Sequence, residues 1–299
     1  MSYRPFFGLT REPFSADLET SAILQTDELL AIGQRVEYVI RIGGIALVTG
    51  EVGAGKSTSL RWAAGQLHPS RYKTLWITAT AGSILEVYRQ LLAELDINTV
   101  SSSRAVLTRL IRQQIQALVS TKKQQPLLII DEASLLRLDV FAELHTLTQF
   151  EGDSKPWLPV ILAGQNNLAD NLLYRTAIPL ASRVVARAHL KAVNRERMEL
   201  YINHHLALAG LKNSPFDEQA LTAVHQGSGG LFRKANHLAR GALIAAAAEK
   251  SQHVTADHVR TADSELLSRK ERSMTAEEHI SFLADLLTLI NALDTLVKD

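Results

Sequence analysis

The sequence predicts an α/β fold, in which helices cover both faces of a parallel central sheet, followed by a small all-helical part. Two patterns along the chain indicate this. Short apolar runs alternate with helical patterns as far as about residue 190, and only helical patterns remain from Asn194 onward. In addition, residues 127–130 are all apolar, as in a central parallel strand that is buried on both faces. With 46% hydrophobic residues among 299, the chain can bury a sizeable core.

The first predicted helix covers residues 29–42 and ends at Gly43 and Gly44, where the chain turns into a strand. The predicted strands cover residues 45–49, 74–78, 127–130, 160–163 and 184–188. Four helices are predicted between the strands. One follows the glycine-rich loop, two cover residues 82–95 and 104–119, and the last ends at Leu144. In the helix 104–119, apolar residues recur at steps of three and four, so one face of this helix is buried.

In the helical part, Gly210 and Gly227 are placed like the C-terminal caps of successive helices. A polar stretch, residues 268–273, then precedes a last helix that starts in capping-box spacing and carries a heptad-like apolar stripe. This helix could dock a partner or a neighbouring subunit, or fold back on the helical part. We therefore divide the chain into an aromatic lead-in with a helix, a sheet-containing core, a helical lid, and a linker with the last helix. These segments cover residues 1–43, 44–191, 192–267 and 268–299.

Composition excludes several classes of site. The chain has no cysteine, so it has no disulfide, no thiolate nucleophile and no cysteine-ligated zinc. Its net charge is +1, so any DNA contact has to come from a local basic patch. The longest apolar runs are far below the roughly 18 residues that a membrane span needs, and the N-terminus lacks the pattern of a secretory signal. We expect a cytoplasmic protein without a membrane partner.

The segment from Gly50 to Ser57 follows an apolar strand and opens a helix, which is the context of a phosphate-binding P-loop. Its glycines let backbone N–H groups approach phosphate oxygens. Lys56 would bring a positive charge to the β- and γ-phosphates, and the Ser57 hydroxyl would coordinate Mg²⁺. The alternative is a glycine-rich turn that only connects a strand to a helix. The predicted nucleotide-binding residues are Gly50, Glu51, Val52, Gly53, Ala54, Gly55, Lys56, Ser57 and Thr58.

Two carboxylates, Asp131 and Glu132, follow the apolar run 127–130. Ligands bind at the carboxyl ends of parallel strands, so this pair is expected to lie beside the P-loop. Asp131 would hold Mg²⁺ through water, and Glu132 would orient and polarise the water that attacks the γ-phosphate. The alternative is an ordinary solvated strand end. ATP with Mg²⁺ is therefore the expected ligand, and ATP hydrolysis the expected reaction.

With these motifs and a helical part after the sheet, residues 1–265 resemble an AAA+ ATPase, which implies a three-layer sandwich with a helical lid. The resemblance assigns Gln165 to the sensor-1 position, near the γ-phosphate or the lytic water. It assigns Arg183, in Ala181-Ser182-Arg183, to the arginine finger that reaches a neighbouring subunit's nucleotide, and Arg233 to the sensor-2 position over the phosphates. A finger implies a homo-oligomer, either a ring or a helical filament. Without the resemblance, Arg183 and Arg233 would be ordinary exposed arginines.

The opening segment is similar to the start of the ExeA/GspA branch of this family. The similarity rests on Phe6-Phe7-Gly8-Leu9 and Glu12-Pro13-Phe14, and it continues in Gly229 to Arg233. From the residues alone, the three phenylalanines are interpreted as packed structure that covers the adenine side or seals the edge of the domain.

Secretion members of this branch add a membrane span and a peptidoglycan-binding domain, and neither is expected here. The layout is similar to that of transposition ATPases of the MuB, TnsC, TniB and IstB type. That resemblance implies assembly on double-stranded DNA, target selection and activation of a transposase, with hydrolysis driving disassembly. The alternatives are an energy module for secretion or envelope assembly and a nucleotide-switched scaffold with little turnover. The candidate DNA contacts are Arg104, Arg109, Arg112, Lys122 and Lys123.

Overall fold

The computed structural model describes residues 2–273, and the predicted heptad-like helix lies outside the described residues. The chain divides into two units. The first, the nucleotide unit, contains Ser15–Arg197 and Gly229–Arg233. The second, the helical unit, contains the described residues before Ser15, Met198–Ser228 and the described residues from Lys234 on. The short segment Gly229–Arg233 therefore belongs with the sheet, although it lies in the helical part of the sequence.

Five parallel strands form the sheet, in the order β2-β3-β4-β1-β5. They are β1 Ile45–Gly50, β2 Tyr72–Thr78, β3 Gln125–Asp131, β4 Val160–Gly164 and β5 Val184–Leu190. The predicted α/β class, with a parallel sheet and a helical C-terminal part, is confirmed. The strand order places the carboxyl ends of β1, β3 and β4 side by side, and these ends carry the P-loop, the acidic pair and Gln165.

The helices predicted at residues 29–42, 82–95 and 104–119 are present with small shifts at their ends, whereas three short helices, at Tyr3–Phe7, Asn167–Asn171 and Ile178–Ala181, were not predicted. The described helices are α1 Tyr3–Phe7, α2 Asp27–Ile42, α3 Lys56–Gly65, α4 Ile84–Glu94, α5 Arg104–Ser120, α6 Leu138–Leu147, α7 Asn167–Asn171, α8 Ile178–Ala181, α9 Arg195–Leu208, α10 Glu218–Ser228, α11 Phe232–Ala248 and α12 Ala256–Ser273. Short 3₁₀ turns cover Thr20–Ala22 and Ala133–Leu135.

Both faces of the sheet are covered. Alternate residues of β3 enter two different apolar clusters: Leu128 and Ile130 pack with residues of α4, α5 and α6, whereas Leu127 and Ile129 pack with residues of α2 and α3. Because successive side chains of a strand point to opposite faces, a strand covered on both sides is apolar at every position. This is the physical reason for the apolar run that leads to Asp131.

In the helical unit, the N-terminal segment packs on the end of α9. The N–H and Oγ1 of Thr10 both donate to the carbonyl of Ala209, at 2.9 and 3.0 Å. Phe14 is buried and its ring stacks on His205, with ring centroids 5.6 Å apart. Phe7 is buried as well. The interpretation of these aromatic residues as packed structure agrees with these contacts, and a role at the adenine side stays a prediction.

Two local predictions for the helical part were wrong. Gly227 lies inside α10, and Gly229, with φ +60°, takes the left-handed conformation after the helix. The polar stretch 268–273 is not a linker but the last part of α12. Among the described helices, none is both long and apolar enough to span a bilayer.

Candidate nucleotide-binding site

The P-loop connects the end of β1 to the start of α3. Gly53 and Gly55 have φ angles of +85° and +94°, which residues other than glycine rarely adopt. Gly55 directly precedes α3, so the unpaired N–H groups of the first helical turn face the loop. Such a helix start favours anions through its N–H groups and its dipole. The loop is therefore built to surround phosphate groups.

Lys56 is buried at the first position of α3, and its ammonium group lies inside the loop. Nζ donates to the carbonyl oxygens of Gly50 and Glu51, each at 2.9 Å. Burial lowers the pKa of Lys56, while the carboxylates of Glu132 and Asp131 raise it. The guanidinium of Arg233 lowers it further. The ammonium is thus held by neutral carbonyls and faces both acidic residues and one cation.

Asp131 is the last residue of β3 and is only 7% exposed. Its Oδ1 accepts a hydrogen bond from the N–H of Glu132 at 2.9 Å. Glu132 has φ +53°, a left-handed conformation that is strained for a residue other than glycine. Strain of this kind, on the order of 1–3 kcal/mol, concentrates at functional sites. The carboxylate of Asp131 is therefore buried, whereas Glu132 is partly exposed and lies on a sharp turn.

The residues around the loop fit Mg²⁺ bound together with a nucleotide. Ser57 is exposed at the start of α3, and Asp131 adds a carboxylate at the carboxyl end of β3. A hydroxyl and a carboxylate are oxygen donors of the type that Mg²⁺ prefers. Residues 2–273 contain no cluster of three or more His, Cys, Asp or Glu that could hold a metal ion. Ser57 and Asp131 would therefore share the cation with phosphate oxygens and water.

Gln165 directly follows β4 and is held beside the turn that carries Glu132. Its N–H donates to Ser134 Oγ at 3.3 Å. The strand end packs closely on this turn, since a Cβ on Gly164 would lie 2.8 Å from the backbone nitrogen of Ser134. The side chain of Gln165 itself is exposed. Sequence reasoning missed Ser134, because no motif marks a serine whose hydroxyl accepts a hydrogen bond from the backbone of a distant residue.

Arg233 contacts the P-loop through its backbone. Its N–H donates to the carbonyl of Gly53 at 3.3 Å, and a Cβ added to Gly53 would lie 2.7 Å from the Cβ of Arg233. The segment that carries Arg233 is fixed to the nucleotide unit a second time, where the N–H of Val193 donates to the carbonyl of Gly230 at 3.0 Å. These contacts place Arg233 at the P-loop, and its role over the phosphates stays a prediction.

Arg183 lies at the opposite end of the sheet. It immediately precedes β5, whose start pairs with Ile45 at the beginning of β1, and the N–H of Ile45 donates to its carbonyl at 2.9 Å. The P-loop begins at Gly50, at the other end of β1 and five residues on from Ile45, which corresponds to about 17 Å. Arg183 therefore does not join the phosphate site of its own chain.

The five candidate DNA contacts differ in their surroundings. Arg104 pairs with Glu143 at 2.6 Å. Arg112 is partly buried, its Nη1 donates to the carbonyl of Gln149 at 2.8 Å, and its guanidinium lies 5.5 Å from the centre of the Phe150 ring. Arg109, Lys122 and Lys123 are exposed. The structure thus assigns Arg112 to packing within the chain.

Comparisons with known proteins agree with this geometry. Residues 40–172 match the family model for an AAA domain. The chain is 30% identical over 254 residues to general secretion pathway protein A of Aeromonas hydrophila, which covers 84% of this chain and 46% of that protein. It is 26% identical over 255 residues to the ATP-dependent target DNA activator B of Escherichia phage Mu, covering 83% of this chain and 74% of the activator.

Among solved structures, Cdc6p of Pyrobaculum aerophilum superposes with a TM-score of 0.69 over 84% of this chain and 70% of that chain. At 17% identity this similarity supports the fold alone. The chain spans less than half of the secretion protein. P-loop NTPases hold Mg²⁺ together with their nucleotide. The P-loop and the acidic pair thus lie within a segment that matches an AAA domain, and the chain is similar over more than four fifths of its length to the secretion protein and to the phage activator.

Proposed function

We propose that this chain is an ATPase that assembles on duplex DNA in its ATP-bound form and acts as an accessory to transposition, with hydrolysis driving disassembly. One observation carries the proposal. Lys56, the acidic pair and Arg233 meet at the P-loop, whereas Arg183 lies about 17 Å away at the other end of β1. An arginine in that position serves a nucleotide only if the nucleotide belongs to another subunit.

Each residue then has a distinct task in hydrolysis. Lys56 binds the β- and γ-phosphates. A Mg²⁺ ion held beside Ser57 and Asp131 would neutralise phosphate charge. Glu132 accepts a proton from the attacking water, and Gln165 positions that water or the γ-phosphate. Arg233 from the same chain and Arg183 from its neighbour stabilise charge on the phosphoryl group. The ATP-bound homo-oligomer, a ring or a helical filament, is thus the form that completes the site.

The DNA part of the proposal has two supports. One relative is named as an ATP-dependent target DNA activator, and the similarity extends over 74% of that protein. In addition, α5 and the turn after it carry exposed cations at Arg109, Lys122 and Lys123. Contacts of such groups with phosphates are independent of sequence and weaken as salt rises. A transposase is the expected protein partner.

Sedimentation with linear duplex DNA tests the proposal. Wild type should sediment with DNA in the presence of ATPγS and release the DNA as ATP is consumed. Glu132→Gln should bind ATP but stay on the DNA, because it lacks the group that activates water. Lys56→Ala is the control, and its sedimentation with DNA should not depend on nucleotide. The proposal fails if neither wild type nor Glu132→Gln forms nucleotide-dependent complexes with DNA at low salt.

Replacing Lys122 and Lys123 together by glutamine tests the basic turn. The double variant should retain ATP binding but require lower salt for DNA binding, with a shallower salt dependence. The matched control replaces two exposed lysines of the helical unit, Lys212 and Lys250, by glutamine, which removes the same charge. An equal effect of both changes would contradict a local DNA contact at the end of α5.

A second candidate function is an energy module for secretion or envelope assembly. The 30% identity to general secretion pathway protein A over 84% of this chain favours it. ATP turnover with and without DNA separates the two. Turnover that depends on Glu132 but is indifferent to DNA would favour the secretion function. Equal inactivity of wild type and Glu132→Gln under all conditions would leave a nucleotide-switched scaffold.

A further inference from the structure

The guanidinium of Arg183 is occupied within its own chain. Nη2 forms an ion pair with Oδ1 of Asp153, and Nη1 donates to Thr148 Oγ1 at 3.4 Å. Both terminal nitrogens, which an arginine finger would direct at phosphate oxygens, thus have partners. His145 lies in the same cluster, where burial and the Arg183 guanidinium lower its pKa. The imidazole is therefore neutral at pH 7 and does not compete with Arg183 for the carboxylate of Asp153.

Asp153 belongs to a short loop between α6 and β4 that is anchored at its base. The base is closed by an antiparallel bridge between Phe150 and Lys155. Phe150 is buried, and its ring packs on Trp157 with centroids 5.5 Å apart. At the tip, Glu151, Gly152 and Asp153 all have positive φ angles. An anchored base with a sharply turned tip holds the carboxylate at a fixed place beside Arg183.

The ion pair is poised to open. The side chain of Arg183 is 22% exposed and that of Asp153 is 49% exposed, so water competes for both. A cavity of about 320 Å³ adjoins the pair and is lined by Gly44, Thr148, Pro156 and the two charged residues. Partly exposed pairs of this kind contribute little to stability. Arg183 can therefore leave Asp153 when a stronger anion is offered.

We propose that Asp153 restrains Arg183 in the isolated subunit and releases it only to the nucleotide phosphates of a neighbouring subunit. The proposal rests on the trans role of Arg183 proposed above. The carboxylate and the neighbour's γ-phosphate compete for the same guanidinium nitrogens. Asp153 thus raises the protein concentration at which the oligomer becomes active.

The test measures ATP turnover per subunit as a function of protein concentration. For Asp153→Asn, the half-maximal concentration should fall about two- to fivefold, the range expected for the loss of a partly exposed ion pair, with an unchanged maximal rate. Asp153→Ser should behave in the same way. Glu151→Gln is the matched control, since it removes the same charge two residues away, where the side chain is exposed. Its half-maximal concentration should equal that of wild type.

Two further variants separate the restraint from a structural role and from failure of the trans site. Arg183→Ala should lose most turnover, and Asp153→Asn in that background should change nothing more. If Arg183→Ala retains full turnover, the trans role itself is wrong. If Arg183→Ala is inactive but Asp153→Asn matches Glu151→Gln, only the restraint is wrong. A lower maximal rate in Asp153→Asn, with unchanged thermal unfolding, would also overturn it, because Asp153 would then position Arg183 rather than restrain it.

Discussion

Gly53→Ala is expected to uncouple Arg233 from the P-loop and weaken ATP binding. At φ +85°, the alanine would be in a left-handed conformation, which costs about 1–2 kcal/mol for a residue with a Cβ. The new Cβ would also lie 2.7 Å from the Cβ of Arg233, closer than such atoms approach. Arg233 must therefore move, and the 3.3 Å hydrogen bond from its N–H to residue 53 is lost.

The energies combine into a measurable effect. A backbone hydrogen bond contributes about 1 kcal/mol, so the two losses amount to roughly 2–3 kcal/mol. Without nucleotide, the variant loop relaxes away from the strained geometry, and ATP binding has to restore it. The loss then appears in the affinity, which should fall roughly 30- to 140-fold because each 1.4 kcal/mol is a factor of ten.

Titration of a fluorescent ATP analogue, with thermal unfolding in parallel, measures this. Gly8→Ala is the matched control, because Gly8 has φ +72° but no atom within 4 Å of an added Cβ. Gly8 lies in the helical unit, so the control should lose stability and keep its ATP affinity. Equal ATP affinities of Gly53→Ala and wild type would refute the coupling between Arg233 and the loop.

The other predictions concern three side chains. Arg233→Ala should lower ATP turnover about 10- to 100-fold and ATP affinity less, as measured by steady-state hydrolysis and direct binding, since it removes charge stabilisation during transfer. Gln165→Ala should lower turnover with ATP affinity retained, and Gln165→Asn should restore part of it; no change in Gln165→Ala would remove this residue from the reaction. Burial, then His204 and Arg11, lowers the pKa of His205 from 6.5 to about 4. The unfolded chain therefore binds the proton more readily between these values, and stability should fall by on the order of 3 kcal/mol as pH drops from 6.5 through 4. In urea unfolding, His205→Gln should lose this pH-dependent part of the free energy of unfolding. His253→Gln, at an exposed position, should retain it.

The strands and the phosphate loop were predictable because their signals are local. An apolar run such as residues 127–130 reports burial on both faces, and the glycines of the P-loop report their own backbone conformations. The wrong predictions arose where local signals were ambiguous. Gly227, Gly229 and Gly230 are all suited to end a helix, and only the packing of the chain selects Gly229. Residues 268–273 were interpreted as a linker because they are polar, yet their charged residues are good helix formers and continue α12.

The two arginines show why the rest of the site could not be predicted from local signals. Local signals alone mark Arg183 and Arg233 only as ordinary exposed arginines, and the family resemblance alone gives them different roles. In the structure, strand register separates them: Arg183 lies where β1 and β5 begin, while Arg233 contacts the loop that follows the end of β1. The partner of Arg183, Asp153, is thirty residues away in the chain and belongs to a loop without a motif. The pairing of Arg183 with Asp153 depends on the fold of the whole sheet. In the proposed trans role of Arg183, a subunit that satisfies this arginine internally exchanges the ion pair for a neighbour's phosphate, which would link assembly to the nucleotide in the next subunit.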